Sequence, residues 1–307
     1  MIRFILYISA LILHSVSVFS QVQREDITLM NGPITLSGTL SFTETTQPLV
    51  IWVHGSGNID RNGTQKGLLP LRYIQKCRDS LNARGLAFFS YDKRTANSAN
   101  KDLLKTTLFD DLVTDLQIVV DHLKKEKRFS KIVLIGHSQG SLVAMLGAKN
   151  SDKIISLAGP ASPIQEIIVQ QIAKNAAILA PFAKKHFEEL EKTGTIKEIN
   201  PMLMNIFAKP MHAFLRSWMH YHPTKVASTL QQPLLIIQGE KDLQVAVRDA
   251  QLLKDAVPKA TLVLIKNMNH VLKTIQKDSD NMTSYTDPSF PLSVTLVNAI
   301  VKFVKQP

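Results

Sequence analysis

Ser138, Asp242 and His270 carry the residue types and the spacing with which this chain could break an acyl bond. Ser138 lies in Lys131-Ile-Val-Leu-Ile-Gly-His-Ser-Gln-Gly-Ser-Leu-Val-Ala-Met145. Ile132 to Ile135 is a continuous apolar run, as in a strand covered by helices on both faces. Leu142 to Lys149 is rich in Leu, Ala and Met, which favour a helix. Between the two, the chain must reverse sharply, and Gly136 and Gly140 remove the side chains that would obstruct the turn. A serine so placed stands at the carboxyl tip of its strand with a helix starting beneath it, the geometry of a nucleophile elbow. The bare Gly-x-Ser-x-Gly pattern is weak; the strand before it and the helix after it give it weight.

A serine hydroxyl needs a base within hydrogen-bond reach, and the base needs an anion to hold its tautomer. In an open parallel sheet such partners come from loops at the carboxyl ends of the strands. Asp242 closes Leu234-Leu-Ile-Ile-Gln-Gly-Glu-Lys-Asp242, just past one buried strand, and His270 closes Lys266-Asn-Met-Asn-His270, just past the next. Asp152 and Asp249 are alternatives for the carboxylate, but Gly239-Glu240-Lys241-Asp242 directly after a strand favours Asp242. His212, His220 and His222 fall in a helical stretch. His54 and His137 precede small residues in tight turns, where the expected role is to hold backbone.

The elements that must position these groups alternate. Ile27–Leu29 and Ile34–Phe42 read as strands joined at Asn31-Gly32-Pro33, the second with the alternation of a half-exposed antiparallel strand. Leu49–Val53 is a buried strand running into His54-Gly55-Ser56-Gly57. A helix over Gln65–Arg84, a strand at Leu86–Tyr91, a helix over Thr107–Lys127 and a strand at Ile154–Leu157 follow. From Pro160 to Pro223 strands cease, and helical patterns span Ile164–Leu179, Ala183–Lys192 and the Met- and aromatic-rich Met202–Tyr221. Alternation resumes with a strand at Leu234–Ile237, a helix over Val247–Ala256, a strand at Thr261–Ile265 and a helix over Leu292–Val304. The pattern predicts an α/β fold, a mostly parallel central sheet with helices on both faces. Residues 21–159 and 224–307 form its core, and residues 160–223 a helical cap inserted before the penultimate strand.

With these motifs in place the chain resembles the α/β-hydrolase superfamily over nearly everything after its first twenty residues. The order Ser138, Asp242, His270 matches that family's triad order. The resemblance implies a nucleophile, an orienting carboxylate, and a general base that later acts as acid. It also implies an oxyanion site made by the backbone N–H groups of Gln139, at the start of the elbow helix, and of Ser56, in the His-Gly-x turn. His54-Gly-Ser-Gly-Asn-Ile-Asp-Arg-Asn-Gly63 and Tyr91-Asp-Lys-Arg94 are similar to segments of bacterial esterases and serine-aminopeptidase-like hydrolases, in which an Asp-Arg pair braces the loop. Thr95-Ala96-Asn97 stands where many relatives carry glycines, and Ser141 replaces a common second glycine.

Composition narrows the rest. The 307 residues, 45% hydrophobic, suffice for one large α/β domain with an insertion. Arg3, the apolar run Phe4–Leu13 and the polar stretch ending at Ser20 fit a secretory signal peptide cut after Ser20. That implies export to a periplasm or cell exterior with no stable membrane insertion after cleavage; an uncleaved membrane anchor is the competing reading, against which stand the short apolar core and His14. Cys77 is the only cysteine, which excludes an intrachain disulfide and a cysteine metal cluster. The net charge of +11 comes from scattered Lys and Arg without interleaved aromatics or a nucleic-acid motif. The expected function is hydrolysis of a small-molecule carboxylic ester through an acyl-serine, with neither metal nor organic cofactor. Two readings stay open: a peptidase acting on short peptides, for which Glu166, Glu188, Glu189 or Glu191 of the insertion could hold the substrate amine, and a non-catalytic binding protein of the same fold.

Overall fold

The computed structural model describes residues 21–44, 46–65, 67 and 70–307; the expected signal peptide lies outside them. The strands are β1 (Gln23–Asn31), β2 (Ile34–Phe42), β3 (Leu49–Val53), β4 (Ala87–Tyr91), β5 (Ile132–His137), β6 (Lys153–Leu157), β7 (Leu234–Gly239) and β8 (Thr261–Ile265). They form one sheet in the order β1-β2-β4-β3-β5-β6-β7-β8. The β1–β2 hairpin is antiparallel and joins β4 antiparallel; from β4 through β8 every pairing is parallel. This is the α/β-hydrolase architecture. Alternate side chains of each strand enter separate cores. Val50, Trp52, Val133, Ile135, Leu235 and Ile237 pack with α1 (Tyr73–Asn82) and the C-terminal helix. Leu49, Ile51, Val53, Ile132 and Leu134 pack with α2 (Phe109–Lys125) and α3 (Gln139–Leu146) on the other face.

Five helices stand between β6 and β7: α4 (Ile164–Asn175), α5 (Ala180–Thr193), α6 (Met204–Phe207), α7 (His212–Met219) and α8 (Pro223–Ser228). They dock on the body through α2, where the Phe109 ring stacks on Trp218 at 5.0 Å and its amide donates to the Ser217 hydroxyl (2.8 Å). The chain closes with α9 (Val247–Ala256), α10 (Asn281–Ser284) and α11 (Val294–Lys305). Among the described residues no helix is long and apolar enough to cross a membrane.

Two expected helices are shorter than their patterns. Within the span Gln65–Arg84 the described helix is Tyr73–Asn82, and before it stand Pro70 and Arg72, the latter with a left-handed φ of 51°. The span Met202–Tyr221 breaks into α6, α7 and short 3-10 turns at Pro201–Leu203 and Lys209–Met211, each with proline in its first turn. The elbow helix runs from Gln139 to Leu146, the serine turn passing straight into it.

A buried ion pair locks the β4 exit to α2. Arg94 Nε and Nη2 donate to Asp115 Oδ2 and Oδ1, both at 2.7 Å, and Asn31 Nδ2 donates to the same carboxylate at 2.7 Å. The side chains are 5% and 2% exposed. Removing Asp115 leaves the buried guanidinium with only the more exposed Asp111 carboxylate, 3.3 Å away. Asp115→Ala is therefore expected to cost about 3–5 kcal/mol, read from urea unfolding of the folded variant against the parent.

Candidate active site

Strand order brings the candidate residues to one sheet edge. β3 and β5 are neighbours with Val53 paired to Gly136, so the His54-Gly55-Ser56 turn and the Ser138 turn leave the sheet side by side. The order reverses about β3, with β4 on one side and β5 on the other, and ligands bind at such switch points. β7 and β8 pair Gly239 with Ile265, which sends the Asp242 and His270 loops out together.

The elbow is held tightly. Ser138 has φ 54° and ψ −120°, and its N–H donates to the Leu157 carbonyl (2.9 Å). A left-handed φ on a residue with a Cβ costs on the order of 1–3 kcal/mol. A Cβ at Gly136 would lie 2.2 Å from the Gly140 carbonyl oxygen, and one at Gly140 would lie 2.2 Å from that of Val53. Both glycines are therefore required for the serine turn to sit against β3. Ser141, at the position of the missing glycine, shares a hydroxyl hydrogen bond with Ser156 (2.7 Å) beneath the turn.

His270 Nδ1 donates to Asp242 Oδ2 at 2.8 Å, leaving Nε2 as the other ring nitrogen. The Asp242 side chain is 1% exposed. Burial pushes its carboxyl up, but the His270 charge and hydrogen bond, with the amides of Val245 and Gln244, outweigh this and hold it below the usual carboxylate range. Gln238 Nε2 also donates to Oδ2 (3.0 Å). His137 is buried, which lowers its pKa to about 3, so its neutral ring donates from Nε2 to the His270 carbonyl (2.9 Å). His54 likewise holds the Tyr91 carbonyl, as expected of a backbone-bracing histidine. Asp152 accepts from the Ile132 amide and Asp249 from the Ala161 amide, so neither alternative carboxylate is paired to His270. His212 holds the Phe207 carbonyl within the insertion.

Ser56, Ser138, Gln139 and His270 all line one cleft of about 950 Å³, with Asp242 behind His270. The rest of its wall is largely apolar, including Ile164, Ile168 and Ile172 of α4 and Met202, Ile206 and Trp218 of the insertion. Within Met202–Tyr221, Phe207 and Met219 are buried in packing and do not line the cleft. Glu166, Glu188, Glu189 and Glu191 are not among the lining residues; no Asp, Glu, Lys or Arg of the described chain is. A cleft of this kind can bind an uncharged lipophilic group beside a hydroxyl and an imidazole. No cluster of three or more His, Cys, Asp or Glu side chains suited to a metal occurs among the described residues.

The expected Asp-Arg brace takes a different form. Arg61 does not pair with adjacent Asp60 but reaches Asp92 after β4, with Nε at 3.1 Å from Oδ1 and Nη2 at 2.8 Å from Oδ2. Asp60 instead caps its own turn, accepting from the Asn62 and Thr64 amides. Two supporting residues escape sequence reasoning. Asn269 orders the His270 loop through Ser284, Asn281 and the Lys273 amide. Lys93 is buried against the Ser56 turn.

Comparison with known proteins agrees with this architecture. Residues 71–274 match the family described as serine aminopeptidase, S33. Esterase EstD of Thermotoga maritima is 28% identical over 260 residues, which are 81% of this chain and 60% of that protein; the chain thus spans well under two thirds of that relative's length. Among solved structures, Est1E from Butyrivibrio proteoclasticus superposes with a TM-score of 0.58 at 18% identity, covering 91% of this chain and 96% of that one. The Pyrococcus furiosus esterase Pf2001 gives 0.59 at 18% identity, covering 92% and 91%. With the family match spanning about two thirds of the chain, the protein belongs to the serine aminopeptidase S33 family of α/β-hydrolases.

Proposed function

We propose that this protein is a serine hydrolase that cleaves uncharged carboxylic esters through an acyl-serine intermediate. Ser138 Oγ attacks the ester carbonyl, and His270 Nε2 takes its proton and returns it to the leaving alcohol. Asp242 holds the imidazole in the required tautomer and stabilises its cation. The amides of Ser56 and Gln139 receive the developing oxyanion. Water activated by His270 then releases the acid. The observation that carries this reading is a strained, half-buried serine lining a cleft shared with a histidine whose far nitrogen is bonded to a buried carboxylate.

The cleft wall favours esters over peptides. A peptidase that selects a free amino terminus needs a carboxylate to receive it, and the lining residues include none. The esterase names of EstD, Est1E and Pf2001 point the same way. A binding protein without catalysis has no use for a strained serine beside a paired histidine. Export follows only from the N-terminal sequence and belongs to the same proposal.

The test is turnover of p-nitrophenyl esters of graded acyl length against aminoacyl and dipeptidyl anilides. Ester cleavage should dominate, and kcat/KM should rise about fourfold per added methylene, the equivalent of about 0.8 kcal/mol of burial, until the cleft is full. Preferential anilide cleavage would overturn the ester assignment. Ile168→Trp, which adds bulk to the apolar α4 wall, should cut turnover of the longest esters about tenfold or more while sparing the acetate.

A further inference from the structure

Lys93 follows β4, is 7% exposed, and places its Nζ between two uncharged acceptors: the Gly55 carbonyl at 2.8 Å and Gln139 Oε1 at 2.6 Å. The nearby carboxylates are committed elsewhere, Asp92 to Arg61 and Asp115 to Arg94. Those two acceptors belong to the two residues that flank the site of the developing oxyanion. We propose that Lys93 is a positioning residue that sets both oxyanion donors at once, through the Gly55–Ser56 peptide and through Gln139; this rests on the acyl-serine reading above.

The geometry follows from the peptide unit. The Gly55 carbonyl and the Ser56 N–H are opposite ends of one planar trans peptide, so they point in opposite directions. Anchoring the carbonyl on the Lys93 ammonium turns the Ser56 N–H away from Lys93. The same donation polarises the peptide and strengthens that N–H as a donor. On the other arm, Lys93 grips the side chain of Gln139, the first residue of α3, whose own N–H is the second donor. The Lys93 amide also donates to the Ile59 carbonyl (3.2 Å), fixing the far side of the same loop.

A buried ammonium with only neutral partners is costly. Burial lowers the Lys93 pKa to about 7. A brace that only tied two segments together could be built from a neutral amide at lower cost. In its ammonium form, which predominates below about pH 7, Lys93 also places a cation beside the peptide dipoles and favours negative charge developing on the oxygen they receive.

The test compares parent, Lys93→Met and Ser138→Ala on one p-nitrophenyl ester, with melting temperatures and the affinity of a trifluoromethyl ketone, which forms a tetrahedral oxyanion on the serine. In folded Lys93→Met, kcat should fall about 10²–10³-fold with KM within about threefold, and ketone affinity should weaken in step with kcat/KM. A kcat within about threefold of the parent, or a fall in kcat with ketone affinity retained, overturns the proposal. A lowered melting temperature with unchanged kcat assigns Lys93 a structural role and also overturns it. Turnover that persists in Ser138→Ala instead refutes the acyl-serine reading, so the two failures are distinct. Should Lys93→Met not fold, Gln139→Leu carries the test, since it removes one acceptor and leaves the ammonium on Gly55. It should lower kcat about tenfold with a matching loss of ketone affinity, and an unchanged kcat overturns the proposal.

Discussion

Replacing Ser138 by alanine should lower ester turnover by about 10⁴–10⁶-fold and leave the fold and its stability close to the parent's. Alanine keeps the Cβ, so the turn retains φ 54° and its hydrogen bond to Leu157. Only the hydroxyl disappears, and no other group lining the cleft stands at the tip of the elbow. Glycine at the same position separates chemistry from stability. It should be just as inactive but more stable than Ser138→Ala by about 1 kcal/mol, because a residue without a Cβ adopts that backbone at no steric cost. Steady-state kinetics and urea melts of the three proteins read both effects. Near-parental activity in either variant would remove Ser138 from the mechanism.

Asp242→Asn should reduce kcat by about 10⁴-fold with the site otherwise intact. All four bonds to this carboxylate come from donors: His270 Nδ1 and Gln238 Nε2 to Oδ2, and the Gln244 and Val245 amides to Oδ1. An asparagine must set its NH₂ against one of these pairs. With the backbone amides keeping the oxygen, the NH₂ faces His270 and drives the ring to accept at Nδ1. The proton then sits on Nε2, which can no longer take one from Ser138. Because the loss lies in the tautomer, KM should change little while kcat falls. A variant losing less than about tenfold in kcat would show that Asp242 does not orient the base.

Much of the fold could be read in the chain because its signals are local. The apolar runs Leu49–Val53, Ile132–Ile135 and Leu234–Ile237 have the composition of strands buried on both faces, and all three fall inside observed strands. The elbow was legible because Gly136 and Gly140 answer to backbone contacts that admit no Cβ. That Asp242 and His270 come together was legible because each follows its strand by a few residues at the same edge. Periodicity failed where proline or a left-handed residue interrupts an apolar pattern, as before Tyr73 and around Pro201 and Pro210. Lys93, Asn269 and the Arg61–Asp92 pair were not legible. Their partners lie 31 to 46 positions away for Arg61 and Lys93, and 12 to 15 positions away, on the four-residue helix α10, for Asn269. A charged residue in a loop reads as solvated until the sheet order puts another strand's loop on top of it.

The central claim is that Ser138 itself becomes acylated. The most direct measurement is peptide mass spectrometry after acid quench of the parent enzyme reacting with a p-nitrophenyl ester, with a fluorophosphonate-treated sample alongside. The acyl mass and the phosphonyl mass should both appear on the peptide containing Ser138 and be lost in Ser138→Ala. An enzyme that turns over ester with Ser138 unmodified, or with the label on another residue, would contradict it.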